Sequence, residues 1–153
     1  IGYVCGEFRN HPTYHLTKNL FKSHDSSKFH IFLFSFHHDE EIKKELKKDV
    51  FKFQDITNIS DAAAIEIIKE CDIDILIDLS VVISANRINI LRAKPAKKII
   101  SYLGFPGTSG HDFYDYILTD KIVTPHDYQS YFTEKFLYIP GCYQVNNGSQ
   151  KFN

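Results

Sequence analysis

Methionine is absent from the 153 residues. A chain without an initiator residue, opening at Ile1 inside an apolar stretch, reads as a segment of a longer polypeptide. Cysteine is scarce: Cys5, Cys71 and Cys142 are far apart and form no CxxC pair. That spacing excludes a paired-cysteine zinc framework, and an odd count without a pattern argues against a disulfide scaffold. A reducing, cytoplasmic compartment is the expected setting. Cys5 and Cys71 lie in apolar contexts and are expected as small buried side chains rather than nucleophiles. Neither charge sign prevails, the formal net charge being -1. Nothing electrostatic therefore favours nucleic acid or an anionic membrane as partner. No apolar run is long enough to span a bilayer, and no signal-peptide pattern is visible.

What is present suits one globular domain: 43% hydrophobic and 14% aromatic residues, on a chain long enough for a sizeable core. Apolar runs at 1–5, 29–36, 50–53, 73–79, 98–103, 114–119 and 135–139 read as strands. Helical patterns lie between them. One starts at Pro12, suited to a first helical position, with Leu16, Leu20 and Phe21 on one face. A charged one covers 40–48, its lysines and acids interleaved as on a solvated face. A third runs over 61–71, capped by Ser60, with Ala64, Ile65 and Ile68 inward. A fourth covers 86–93 and stops before Pro95, and a short one follows Pro125. Strands alternating with helices at these lengths imply βαβ units. The fold expected is a Rossmann-like, doubly wound α/β domain with a mostly parallel sheet over 1–145. The polar stretch 146–153 reads as a linker.

Two loops at strand ends carry the chemistry. The first, residues 6–13, contains Glu7 and His11-Pro12-Thr13. The second is Leu103-Gly104-Phe105-Pro106-Gly107-Thr108-Ser109-Gly110. In a doubly wound sheet both open on the carboxyl edge, where ligands sit, and can line one crevice. Glycines let a ligand approach the backbone, and Thr108 and Ser109 add hydroxyls. His11 at a helix start can donate to a sugar hydroxyl or a phosphate, or act as general acid or base. Its bland role is a helix cap. Glu7, the only carboxylate of the first loop, is a candidate base or ligand orienter, although a lone loop Glu is usually solvated. His11 and His15 are four apart, but no third metal ligand suggests itself. His37-His38-Asp39 reads as a polar turn, and Asp55, Asp115 and Asp120 as strand-end caps.

These loops resemble the catalytic region of the O-linked N-acetylglucosamine transferase and SPINDLY family. Ile1-Gly2-Tyr3-Val4 and Phe8-Arg9-Asn10-His11-Pro12-Thr13 are similar to the family's G-Y-V-S-x-D-F-x-x-H-P-T. Asp74-Ile75-Leu76-Ile77-Asp78-Leu79 and Lys94-Pro95-Ala96 continue the likeness. It is sharpest in Tyr102 and the 103–110 loop, and it runs on through Asp115-Tyr116-Ile117-Leu118-Thr119-Asp120, Pro125, Tyr131 and Glu134-Lys135 to Pro140. The resemblance implies one half of a GT-B architecture, the N-terminal half. It implies a glycosyltransferase moving GlcNAc, or a related sugar, to Ser/Thr of proteins with inversion and without a metal. It implies catalytic roles for His11 and Glu7, and substrate contacts for Pro12, Thr13, Leu103, Gly104 and Pro106. UDP-GlcNAc is the expected donor, with GDP-fucose the other donor class in the family, and no cofactor is expected. Upstream tetratricopeptide repeats, a C-terminal catalytic half and protein acceptors are the expected partners.

Three positions depart from the family pattern. Its loop aspartate is Glu7 here, one methylene longer. Its N-G-Y-T is Ser80-Val81-Val82-Ile83, which lacks three polar or small residues at the substrate-facing edge. Its R-P-A-P-I-Q is Lys94-Pro95-Ala96-Lys97-Lys98-Ile99. These changes keep open a rival expectation, a non-enzymatic α/β interaction or ligand-binding module built on the same fold.

Overall fold

The computed structural model describes residues 1–81 and 87–146. Seven strands form one sheet in the order β3-β2-β1-β4-β5-β6-β7, every neighbouring pair parallel. They are β1 (Gly2–Cys5), β2 (Phe32–Ser35), β3 (Lys52–Asp55), β4 (Ile75–Asp78), β5 (Lys98–Ser101), β6 (Tyr116–Thr119) and β7 (Lys135–Tyr138). The helices are α1 (Pro12–Thr17), α2 (Glu40–Leu46), α3 (Asp61–Glu70) and α4 (Ile88–Arg92), with 3-10 turns at Phe21–Ser23 and His126–Tyr131. The expected doubly wound α/β fold is the one found, and its sheet is parallel throughout.

The sheet is a two-sided core. Its central strands β1 and β2 are buried at all four positions, as a parallel sheet covered on both faces requires. Side chains alternate between faces. Tyr3, Cys5, Leu33, Ile77 and Leu79 pack with Tyr14 of α1 and Leu46 of α2. Val4, Phe34, Leu76 and Ile99 pack on the other face with Ala64 and Ile68 of α3 and Ile90 of α4. Ser60 caps α3 by accepting from Ala63 N at 3.2 Å. The start expected for α4 at residue 86 lies outside the described residues.

Three expectations shift. The buried face of α1 is Thr13, Tyr14 and Thr17, with Leu16 and Leu20 only partly covered. The cause is polar satisfaction: Thr17 Oγ1 donates to Thr13 O at 2.7 Å, and Tyr14 OH reaches Glu45 Oε2 of α2 at 2.7 Å. Phe21 does enter the core, from the 3-10 turn after the helix. The third strand begins at Lys52 rather than 50, because Phe51 turns outward and stacks on His30, ring centroids 4.2 Å apart.

Over β4 to β7 the sheet face shared with α1 is left open among the described residues. Ile77, Ile100, Tyr102, Leu118, Leu137 and Ile139 line an apolar trough of about 430 Å³ there. No helix among the described residues is long and apolar enough to cross a membrane.

Candidate active site

The winding of the sheet reverses between β1 and β4, so a crevice opens at the carboxyl ends of those strands. Three chain segments meet in it. Gly6, just past β1, donates its amide to Ser80 Oγ, just past β4, at 3.2 Å. Gly104, just past β5, lies on the same turn: a Cβ there would stand 2.6 Å from Leu79 O and 2.9 Å from Ser80 O. Only glycine allows that approach. Leu103 is bent to φ +68, and Gly104 N donates to Tyr102 O at 2.8 Å, a tight three-residue turn that is strained for a side-chain-bearing residue. The strand-to-loop junction is therefore built for position rather than comfort.

Asp78 holds the β4 exit. Fully buried, it accepts from Ser80 N at 2.9 Å, Val81 N at 3.0 Å and Tyr114 OH at 2.6 Å. Burial pushes its carboxyl up, opposed by those three donors, and burial together with the Asp78 charge pushes the Tyr114 phenol up. Val81 takes φ +46, rare for a β-branched residue. Of the departures noted at Ser80-Val81-Val82-Ile83, Val82 and Ile83 lie outside the described residues.

On the first loop the structure brings Glu7 and His11 together. His11 Nδ1 lies 3.9 Å from Glu7 Oε2. It also accepts from Thr13 N at 3.2 Å and so caps α1. A nitrogen that accepts the amide proton cannot also donate to Glu7. The shorter, directed bond prevails, and the neutral ring carries its proton on Nε2. Glu7 is not the solvated carboxylate expected of a lone loop Glu. It is buried, 8% exposed, because Arg9 Nε donates to its Oε2 at 2.8 Å. Arg9 is a site residue that sequence reasoning passed over. Pro12 is the exposed first residue of α1, and Thr13 is buried beneath it.

The 103–110 loop is tied down at its far end by Glu134, a fully buried carboxylate. Its Oε2 accepts from Thr108 Oγ1 at 2.8 Å and Thr133 Oγ1 at 3.1 Å, and its Oε1 accepts from Ser109 N at 2.8 Å and from Ser109 Oγ. Burial raises this carboxyl, but the bonds from Ser109 and Thr108 outweigh it and hold it below its ordinary value. Between the two anchors Phe105 and Pro106 are exposed at the loop tip.

The other candidates fall elsewhere. His15 Nε2 pairs with Asn10 Oδ1 at 2.8 Å. His38, Glu40 and Asp55 come together at the β3 edge, where Lys43 Nζ bonds Glu40 at 3.0 Å and Asp55 at 2.8 Å. A lysine thus already pairs with both carboxylates of the only such group among the described residues. Asp120 accepts from Ile122 N, Val123 N and Tyr143 N, and Asp55 from Thr57 N, as strand-end caps do. Asp115 accepts from Ile99 N and pairs with Lys98.

The family model for Glycosyl transferase family 41 matches residues 1–153. The chain belongs to that family. Curated relatives of family 41 include the probable UDP-N-acetylglucosamine–peptide N-acetylglucosaminyltransferase SEC of Arabidopsis thaliana, 35% identical over 99% of this chain. The corresponding transferase of Caenorhabditis elegans is 33% identical over 98% of it, and an Arabidopsis SPINDLY protein 26% identical over 94%. Among solved structures, a mutant O-GlcNAc transferase from Thermobaculum terrenum superposes with a TM-score of 0.88 at 25% identity. It is matched over 94% of this chain and 28% of its own length. The chain spans 16% of the SEC relative and 13% of the worm protein.

Proposed function

We propose that this chain forms the N-terminal wall of the crevice in a protein O-GlcNAc transferase, whose intact form moves GlcNAc from UDP-GlcNAc to Ser/Thr hydroxyls of protein acceptors. The observation that carries the reading is the convergence of the His11 loop and the Gly104 loop over Ser80, at the β1/β4 switch point, in a chain matched by family 41 along its whole length. In the reaction the acceptor oxygen bonds to the anomeric carbon as the bond from that carbon to the diphosphate oxygen breaks. The bonding pair leaves with UDP, and a direct displacement inverts the anomeric centre. The chemistry asks for in-line positioning and for donors at the departing oxygen. His11, with Nδ1 committed to the helix cap, presents Nε2–H as a donor to the sugar or the reacting oxygen. Glu7, one oxygen held by Arg9, keeps its other oxygen to orient or receive the acceptor proton. Leu103, Gly104 and Pro106 pack against the sugar, with Pro12 and Thr13 beside them. No step calls on a metal.

A single wall cannot enclose a donor, so the isolated chain is inactive under this reading. In the intact protein, assayed with UDP-GlcNAc and a protein acceptor, His11→Ala lowers the rate by roughly 10²-fold or more. Failure of the intact wild type to transfer GlcNAc overturns the reading. Transfer from GDP-fucose alone would overturn the choice of donor. An unaffected His11→Ala in an active protein removes His11 from the chemistry.

A further inference from the structure

We propose that Glu134 is a positioning residue for the 103–110 loop: its buried carboxylate, bonded to Thr108 and Ser109, sets where that loop stands against the donor. The inference rests on the transferase reading, and its observations are independent of His11 and Glu7. The loop has no regular structure and carries two glycines at points of close approach, Gly104 and Gly107. Its near end is fixed by sterics, Gly104 against the Leu79 and Ser80 carbonyls. Its far end is fixed by charge. Glu134 is fully buried without a cation among its hydrogen-bond partners; its oxygens take Thr108 Oγ1, Thr133 Oγ1, Ser109 N and Ser109 Oγ. A carboxylate kept in such a place by neutral donors alone is expensive to bury. The donors it collects come mainly from a segment 25 residues earlier in the chain. Glu134 is itself held in place, because Gln129 Nε2 donates to Glu134 O at 2.9 Å while Gln129 Oε1 accepts from Phe136 N. A hydrogen-bonded chain thus runs from Phe136 of β7 through Gln129 and Glu134 to Thr108 and Ser109, next to the exposed Phe105 and Pro106.

The test compares Glu134→Ala, Glu134→Gln and Thr108→Val in the intact protein. Two readouts are taken at a temperature where each variant is folded: kcat and KM for UDP-GlcNAc, and hydrogen exchange of the peptide spanning 104–110. Glu134→Ala should lower kcat/KM roughly tenfold or more, since small misplacements of positioning groups are costly. It should also quicken exchange in the loop while leaving the central strands unchanged. Glu134→Gln should recover most of the loss. Its carbonyl still accepts from Ser109 N–H, and the Thr133 hydroxyl, 3.1 Å from Oε2, can rotate to accept from its amide. A Glu134→Ala protein that melts earlier but keeps wild-type kcat/KM per folded molecule overturns the proposal and leaves Glu134 a structural carboxylate. Should Glu134→Ala fail to fold, Thr108→Val removes one arm of the clamp and the same two readouts decide. A wild type without transfer activity overturns the transferase reading, whereas unchanged loop exchange in the variants overturns the clamp.

Discussion

Gly6 and Ser80, 74 residues apart, are joined by a single bond: the Gly6 amide donates to Ser80 Oγ at 3.2 Å across the β1/β4 junction. Ser80 is buried, and its own carbonyl is the surface on which Gly104 rests. One residue therefore touches both loops that wall the crevice, the Gly6 loop through its side chain and the Gly104 loop through its backbone. Its peptide is held from below by Asp78, which accepts from Ser80 N and Val81 N.

Ser80→Ala should lose that bond and strand the Gly6 amide. A buried donor left unpaired costs about 1–3 kcal/mol. Urea unfolding would read the loss as a lower midpoint at unchanged slope. A midpoint equal to wild type would show that water or a shifted loop satisfies the Gly6 amide.

Gly104→Ala tests the other side of the same junction. The added Cβ would stand 2.6 Å from Leu79 O, a backbone atom that cannot swing aside. The loop or the β4 exit must move, at a cost of about 1–3 kcal/mol. Under the proposed transferase reading the displaced loop should raise KM for the donor in the intact protein. Gly110→Ala is a useful contrast. It meets no atom within 4 Å, but its φ of +71 strains any side chain, so its effect is conformational rather than steric. If the two variants lose donor affinity equally, close packing at Gly104 is not what positions the loop.

Much of this was legible in the sequence. The β-branched density of Ile73 to Leu79 marks a buried strand, and the strand–helix alternation implies a doubly wound sheet. The loops at 6–13 and 103–110 stand at strand ends as their glycines and Pro12 suggest. What stayed hidden is what depends on distant partners. Glu7 reads as solvated until Arg9 is seen to close over it. Glu134 carries no local signal, since its partners lie 25 residues away and meet it only when β6 and β7 pair. The inward face of α1 differs from the expected Leu16, Leu20 and Phe21 because Thr13, Tyr14 and Thr17 are polar residues whose burial is compensated by the Thr17–Thr13 and Tyr14–Glu45 bonds. Hydrophobic periodicity cannot register such satisfied polar groups.

The three free thiols should separate by burial. Cys142 is exposed, Cys71 is half-buried with its thiol raised by burial, and Cys5 is fully buried with its thiol pushed up to about 12. Only the thiolate reacts. Iodoacetamide on the native protein near pH 8 should label Cys142 first and Cys71 more slowly, with Cys5 reacting only after unfolding. Peptide mass spectrometry reads the order. Native labelling of Cys5 would mean that the β1 core opens far more readily than its packing implies.

Glu134 should also give the fold a specific acid sensitivity. Its ordinary value is 4.5, and the folded protein holds it lower, with burial opposed by the stronger sum of bonds from Ser109 and Thr108. The folded state then binds the proton less readily than the unfolded chain. The charge-linked stabilisation is complete above about pH 4.5 and is lost as the pH falls through the folded value. Glu134→Gln cannot titrate and lacks this contribution. The other carboxylates held low, such as Asp115 and Asp120, titrate alike in both proteins and cancel in the comparison. The stability gap between wild type and Glu134→Gln should therefore be constant near neutrality and shrink as the pH drops below about 4.5. Denaturant unfolding at a series of pH values measures it. A gap that stays constant down to pH 3 would mean that folding leaves the proton affinity of Glu134 unchanged, so that the bonds from Ser109 and Thr108 do no more than offset the cost of burial.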